Sequence, residues 1–236
     1  MKYSFSSTTV FAAVLVSCVS VQAETVLHLP FEKKEELAKW TICCWKSRKG
    51  TRPEIRKDAE GSGFLRPGSA PKGLLLPLPK PVTFSNELKK VRLSVEIRLE
   101  NTSRPVRATL ALTSRETPVV TLRPFHPGVD SGIVASGYQY NGNFSQHQAN
   151  YIQARRGAMC VKALSGEGKN GFLKPVKTWQ KWILEYDGQQ NVLSLKTDTA
   201  DTAAELHHVK LAGETMRGLW LSGDLDFRNV RLEVEK

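Results

Sequence analysis

Paired carboxylates are the first residues to weigh for chemistry, because glycosidic hydrolysis with retention needs two carboxyl groups about 5 to 5.5 Å apart. Glu96 and Glu100 share one face of an alternating run, but four residues at about 3.3 Å each set their backbones roughly 13 Å apart, too far for direct attack. Asp224/Asp226 and Glu233/Glu235 are spaced by two, about 6.6 Å along a strand, which is compatible with pairing. Glu233 and Glu235 read as a solvated strand face. Asp224 and Asp226 sit on a turn, where calcium collects oxygen ligands, so they are the candidate metal ligands. Gly166, Gly168 and Gly171 match the string G-x-G-x-x-G, yet Phe172-Leu173-Lys174-Pro175 follows and opens no helix to hold a pyrophosphate. His207 and His208 are adjacent, face opposite ways on a strand, and cannot chelate one ion together. No residue is assigned a catalytic role.

Binding chemistry is better represented. Residues 138–151 bring Tyr138, Tyr140, Asn143 and His147 close together in sequence. Ring faces that stack on sugars and amides that bond hydroxyls are what sugar recognition requires. Arg155 and Arg156 follow and suit a carboxylate or sulfate. These six residues form the candidate ligand site, with acidic glycans as the ligand class.

Four cysteines are present, of which Cys18 lies in a leader segment, leaving Cys43, Cys44 and Cys160. Neighbours on a strand point opposite ways, so only one of Cys43 and Cys44 can face Cys160. One disulfide, Cys44–Cys160 or Cys43–Cys160, stands beside the alternative of three buried, inert thiols. No C-x-x-C pair exists, which excludes a zinc ribbon.

The elements that must carry these residues are strands. Val91, Leu93, Val95, Ile97 and Leu99 alternate with polar residues, and Val106, Ala108, Leu110 and Leu112 do the same. The turn chemistry of Asn101-Thr102-Ser103-Arg104-Pro105 between them predicts an antiparallel hairpin. Further strands are expected at 119–123, 158–164, 182–187, 192–197, 218–222 and 227–234, with Asp187-Gly188-Gln189-Gln190 as a hairpin loop. Only residues 32–39 read as helical. Residues 50–71 and 137–151 read as long loops. Many strands and almost no helix imply an all-β, two-sheet antiparallel jelly-roll sandwich, with Val91, Leu93, Val95, Ile97, Val230, Leu232 and Val234 facing its core.

The 236 residues are 40% hydrophobic and 24% charged, which suits one domain and excludes collagen, coiled coil and disorder. A net charge of +11 is spread along the chain, which leaves room for an acidic partner or surface and does not indicate a nucleic-acid arm. Residues 1–23 read as an export signal, with Lys2, an apolar run from Val10 to Val16 and Val21-Gln22-Ala23 before cleavage at Glu24. That run is about half the ~20 residues a membrane span needs, and no second candidate follows it, so no transmembrane segment is expected. Leu15-Val16-Ser17-Cys18 also fits a lipobox, which makes a lipoprotein anchored at Cys18 the competing expectation. The domain then spans 24–236 in the periplasm or outside the cell.

Leu29-Pro30-Phe31-Glu32 with Leu37 and Trp40, the segment from Trp179 to Gly188 leading into Val192-Leu193-Ser194-Leu195, and the closing Leu225-Asp226-Phe227-Arg228-Asn229-Val230 together resemble the concanavalin A-like lectin/glucanase superfamily. The Trp-to-Asp-Gly hairpin is similar to laminin G-like jelly rolls of exported bacterial proteins. Phe227-Arg228-Asn229-Val230 and Ser131-Gly132-Ile133 look like 3-keto-disaccharide hydrolase-type domains. The resemblance implies two packed sheets and a carbohydrate or cell-surface glycan as partner. The glucanases of that superfamily carry Glu-x-Asp-x-x-Glu or a near variant, and this sequence does not. The expectation is therefore a noncatalytic carbohydrate-binding domain. Two alternatives stay open: an enzyme on the same scaffold, such as a 3-keto-disaccharide hydrolase or a polysaccharide lyase with a Tyr or His base, and a structural or protein-interaction domain.

Overall fold

A computed structural model describes residues 23–44, 52–68, 71–99, 106–116, 130–139, 150–164, 172–173, 177–198, 200–223 and 225–236. β6 (Lys90–Arg98), β11 (Gln180–Asp187), β12 (Val192–Thr197) and β15 (Asp226–Glu235) lie in one sheet, and the alternation of apolar and polar residues along them turns most of their apolar side chains to its core face. With β1 (Glu24–Leu29), β3 (Glu54–Lys57), β4 (Gly63–Arg66) and β13 (Ala200–Leu206) they form an eight-stranded antiparallel sheet in the order β13-β12-β11-β6-β15-β4-β3, where β1 also pairs with β15. The second sheet has seven strands in the order β10-β9-β8-β7-β14-β5-β2, namely β2 (Thr41–Cys44), β5 (Pro71–Thr83), β7 (Val106–Thr113), β8 (Gly132–Gln139), β9 (Tyr151–Arg156), β10 (Met159–Leu164) and β14 (Thr215–Gly223). The result is a two-sheet antiparallel jelly-roll sandwich.

The core lies between the sheets, and its largest fully buried side chains include Trp182, Phe31, Phe84 and Phe227. All seven residues expected to face it, from Val91 to Val234, are buried there. Trp182 meets Phe172 edge to face at 6.2 Å, and Gly137 lies against its ring so closely that a Cβ at Gly137 would collide with it. Large side chains from one sheet thus seat on small residues of the other.

The loop 187–190 is a hairpin, as its residues predict: Asp187 pairs with Val192, and its Oδ1 accepts hydrogen bonds from the backbone N–H groups of Gln189 and Gln190 at 3.0 and 2.9 Å. The expected hairpin between residues 91–99 and 106–112 is not formed. β6 pairs with β11 and β15, whereas β7 pairs with β8 and β14 in the other sheet, so the chain between them passes from one sheet to the other. Residues 50–71 are likewise no plain loop, since β3 and β4 pair within them around a turn in which Asp58 Oδ1 accepts from the Glu60 and Ser62 N–H groups. The helical stretch is a single 3-10 segment, Lys34–Lys39, started by Glu36, which accepts from the Phe31 and Lys33 N–H groups. The expected strand at 119–123 and the glycine string 166–171 lie outside the described residues.

Candidate functional site

On β9, Ile152 and Ala154 enter the core, so Tyr151, Gln153 and Arg155 alternate onto the outer face of the seven-stranded sheet. The neighbouring strand sets Lys162 opposite Gln153 and Cys160 opposite Arg155. Lys162 Nζ stands 4.0 Å from the centroid of the Tyr151 ring, within the reach of a cation–π contact. Gln153 Nε2 donates to Cys160 Sγ at 2.7 Å, and Arg155 Nε donates to the Gly157 carbonyl at 2.8 Å, which holds the turn between β9 and β10.

Across β8, β7 and β14 this face continues. Ser136 sits opposite Tyr151 and Thr109, and Val134, Ala111, Trp220 and Leu75 follow one another from strand to strand. Those last four form a second, small buried apolar cluster, with Tyr151 packed at its margin. Trp220 lies flat over Gly73, where a Cβ would occupy the space of its ring. The Ser136 hydroxyl and the Trp220 indole N–H are both buried and have no hydrogen-bond partner. A half-buried phenol ring, an amide, an ammonium group and a guanidinium therefore line one stripe, with two unmet donors beside it. The ring face, amide and cations placed here offer the chemistry of binding and charge neutralisation.

The sequence-predicted site is only partly gathered. Tyr138 is on β8 opposite Arg107, whereas Arg155 is opposite Gly132, six residues further along the same strand and about 20 Å away. Arg156 alternates to the other side of the sheet and its Nε donates to Glu214 Oε1 at 3.2 Å, so the two arginines do not act together. Tyr140, Asn143 and His147 lie outside the described residues. Gln153 and Lys162 were not singled out by sequence, although the alternation of Tyr151, Gln153 and Arg155 was visible there; Lys162 joins them only through strand register.

The structure turns Asp226 to arginine side chains, not to an open cation site. Its carboxylate is 1% exposed and takes both arms of Arg66, Nε to Oδ1 at 2.8 Å and Nη2 to Oδ2 at 3.0 Å, while Arg98 Nη2 donates to Oδ2 at 2.9 Å. Both carboxylate oxygens are thus taken by guanidinium groups. Asp224 lies outside the described residues, and among the described residues no cluster of His, Cys, Asp and Glu could hold a metal ion. The cysteine pairing is also corrected: Cys43 and Cys44 are on β2 and Cys160 on β10, the two opposite edges of the seven-stranded sheet. Six interstrand steps of about 4.8 Å separate those edges by about 29 Å, against the ~7 Å limit of a disulfide. Cys160 is a free, exposed thiol, so the alternative of three buried thiols fails for it as well.

The outer face of the eight-stranded sheet is a charge lattice. Arg228 donates to Glu96 at 2.6 Å and to Asp58 at 3.0 Å, and the Trp179 ring covers the guanidinium groups of Arg98 and Arg228 at 4.5 and 4.2 Å. Phe64 meets Trp179 edge to face at 5.9 Å. Further along, burial pushes the Glu185 carboxyl up, but Arg92 and Lys196 outweigh it and hold the group below the usual carboxylate range. These carboxylates are committed to arginine and lysine partners.

No family model and no curated protein matches the chain. Among solved structures, the potassium-bound carbohydrate recognition domain of Emp46p is similar over 89% of this chain and 95% of that one, at 13% identity and a TM-score of 0.51. A protein of unknown function with a galectin-like fold from Bacillus subtilis is similar over 90% and 97%, at 9% identity and a TM-score of 0.52. The CBM2 module of an evolved Dit protein from Lactobacillus casei BL23 phage J-1 is similar over 90% and 96%, at 10% identity and a TM-score of 0.50. At these identities the likeness is one of fold, and that fold is the lectin-like jelly roll.

Proposed function

We propose that the protein is an exported, noncatalytic carbohydrate-binding domain that holds an acidic glycan against Tyr151, Gln153, Arg155 and Lys162. The observation that carries this reading is the stripe itself: a ring with a cation over it, next to an amide and a guanidinium, on one face of a rigid sheet. The hydroxyls of a sugar bond the amide, and its carboxylate or sulfate meets the two cations, one of which the Tyr151 ring holds in place. The lectin-like fold supports the reading, because the Emp46p domain of the same architecture is a carbohydrate recognition domain.

Titration calorimetry with a soluble polyuronate and with an uncharged glucan tests it. The polyuronate binds more tightly, and Tyr151→Ala and Lys162→Ala each weaken it about tenfold, the loss of roughly 1.4 kcal/mol that one aromatic or charged contact supplies. Raising salt weakens the polyuronate too, since the cations are exposed and screened within about 8 Å at physiological ionic strength. Wild-type protein that holds neither polymer, nor any glycan on a broad array, sinks the reading and leaves a protein-interaction domain in its place.

Export rests on the leader-like residues 1–23. It is supported by the start of β1 at Glu24, the first residue after the proposed cleavage, whose carboxylate accepts from Lys80 Nζ at 2.7 Å. N-terminal sequencing of protein recovered from the periplasm or medium returns Glu24; a lipid-modified Cys18 in the membrane fraction replaces that outcome with an anchored protein.

A further inference from the structure

The inner side of β9 and β10 carries a pocket. Met159 stands opposite Arg156 and Val161 opposite Ala154, so both share the inner side of the sheet with Ala154, a core residue. Yet Met159 is 61% exposed and Val161 45%. With Ala154, Val209 and Leu211 they line a pocket of about 130 Å³. That volume approaches the ~150 Å³ of cavities that accept benzene, so it has room for one ring. Its floor is fixed in advance: Val209 and Leu211 belong to the main core, the Val209 N–H donates to the Asn191 carbonyl at 2.8 Å, and the Val209 carbonyl accepts from the Tyr186 hydroxyl at 3.2 Å. The basic groups that line the pocket differ in what they have left to give. Arg156 is committed to Glu214 and Arg155 to the Gly157 carbonyl, whereas Lys210 is exposed, and among the described residues no ion pair or hydrogen bond holds its ammonium group.

We propose that this pocket binds a small organic acid, a single apolar ring of benzene size that carries one carboxylate. The five apolar side chains and the volume select the ring. The Lys210 ammonium selects a carboxylate over an amine. A sugar does not suit the pocket, because the hydroxyls around its ring would face apolar walls that leave them without partners. The site is separate from the stripe of Tyr151, Gln153 and Lys162, which lies on the opposite side of the same two strands, so it does not rest on glycan binding. Burial of the ring supplies most of the affinity, and one exposed ammonium group adds a small share that sets the preference among ligands of equal size.

Heteronuclear NMR titration of the full mature chain with benzoate, benzyl alcohol and benzylammonium at millimolar concentrations tests the proposal. Benzoate shifts the amide signals of residues 154–161 and 208–211 saturably, benzyl alcohol binds about three- to fivefold more weakly, and benzylammonium more weakly still. Lys210→Gln brings benzoate down to the affinity of the alcohol while leaving the alcohol and polyuronate binding unchanged. Val161→Trp fills the pocket and removes the shifts for all three ligands. Both positions are exposed, so each variant melts with the wild type; should Val161→Trp not fold, Lys210→Gln decides the matter alone. No saturable shift with benzoate, shifts centred on the outer stripe, benzylammonium binding as tight as that of benzoate, or a benzoate affinity that Lys210→Gln leaves unchanged overturns the proposal. Wild-type protein that takes benzoate but no polyuronate upholds this pocket and sinks only the glycan reading.

Discussion

Asp226→Ala lowers the stability of the fold by about 3 to 5 kcal/mol, the cost of breaking a buried ion pair from one side. The carboxylate is the hub of two arginines whose own side chains are 18% and 22% exposed, and it joins β15 to β4 and to β6. Truncation leaves two guanidinium groups facing each other in a site largely shut off from water, with Trp179 and Phe64 over them. Asp226→Asn keeps the shape but turns an amide N–H₂ toward donors, so it also destabilises. At about 2 to 4 °C per kcal/mol for a domain of this size, the alanine variant melts roughly 10 °C lower. Differential scanning calorimetry reads this directly, and a midpoint within 2 °C of wild type would mean that the cluster is decoration on the sheet.

Trp182→Ala is the second large effect, again about 3 to 5 kcal/mol, through loss of apolar transfer energy and the cavity left behind. Trp182 is among the largest fully buried side chains and bridges the sheets, seated on Gly137 and edge to face with Phe172. Its indole N–H has no partner, which separates two components of its contribution. Trp182→Phe removes that unmet donor together with part of the volume, so its cost falls well below that of alanine. Urea titrations of the three proteins decide the matter; equal losses for alanine and phenylalanine would show that the N–H is satisfied in solution.

The core-facing strands were legible because period-two alternation states directly which residues are buried, as in β6 and β15. Alternation does not state which sheet a strand joins. The strands on either side of residues 101–105 lie in different sheets, so the hairpin expected from their turn chemistry is not formed. β5 was hidden by Pro71, Pro77, Pro79 and Pro81, which argue against a strand. Pro79 and Pro81 are tolerated because they lie beyond Leu75, the last residue of β5 paired with β2, and within the break of its ladder with β14 between Pro77 and Val82, where a missing N–H leaves no ladder bond unmade. At the candidate site, Tyr151, Gln153 and Arg155 could be read as one stripe, but Lys162 enters only by register with β9. The partners of Asp226 are 160 and 128 residues distant in sequence, a separation at which spacing carries no signal.

The central position of β15 has a kinetic consequence. β15 pairs with β1, with β4 and with β6, so that Glu24 lies against Val234 and the first and last described strands meet in the middle of one sheet. Such a topology has a high contact order, and loop-closure entropy must be met before these pairings reward it, which places folding in the slow, millisecond-to-second range of all-β domains. The eight-stranded sheet cannot close while the ribosome still holds residues 226–235. Until they emerge, β6 presents an open edge, and the nascent chain remains a substrate for holding factors and not yet a folded domain.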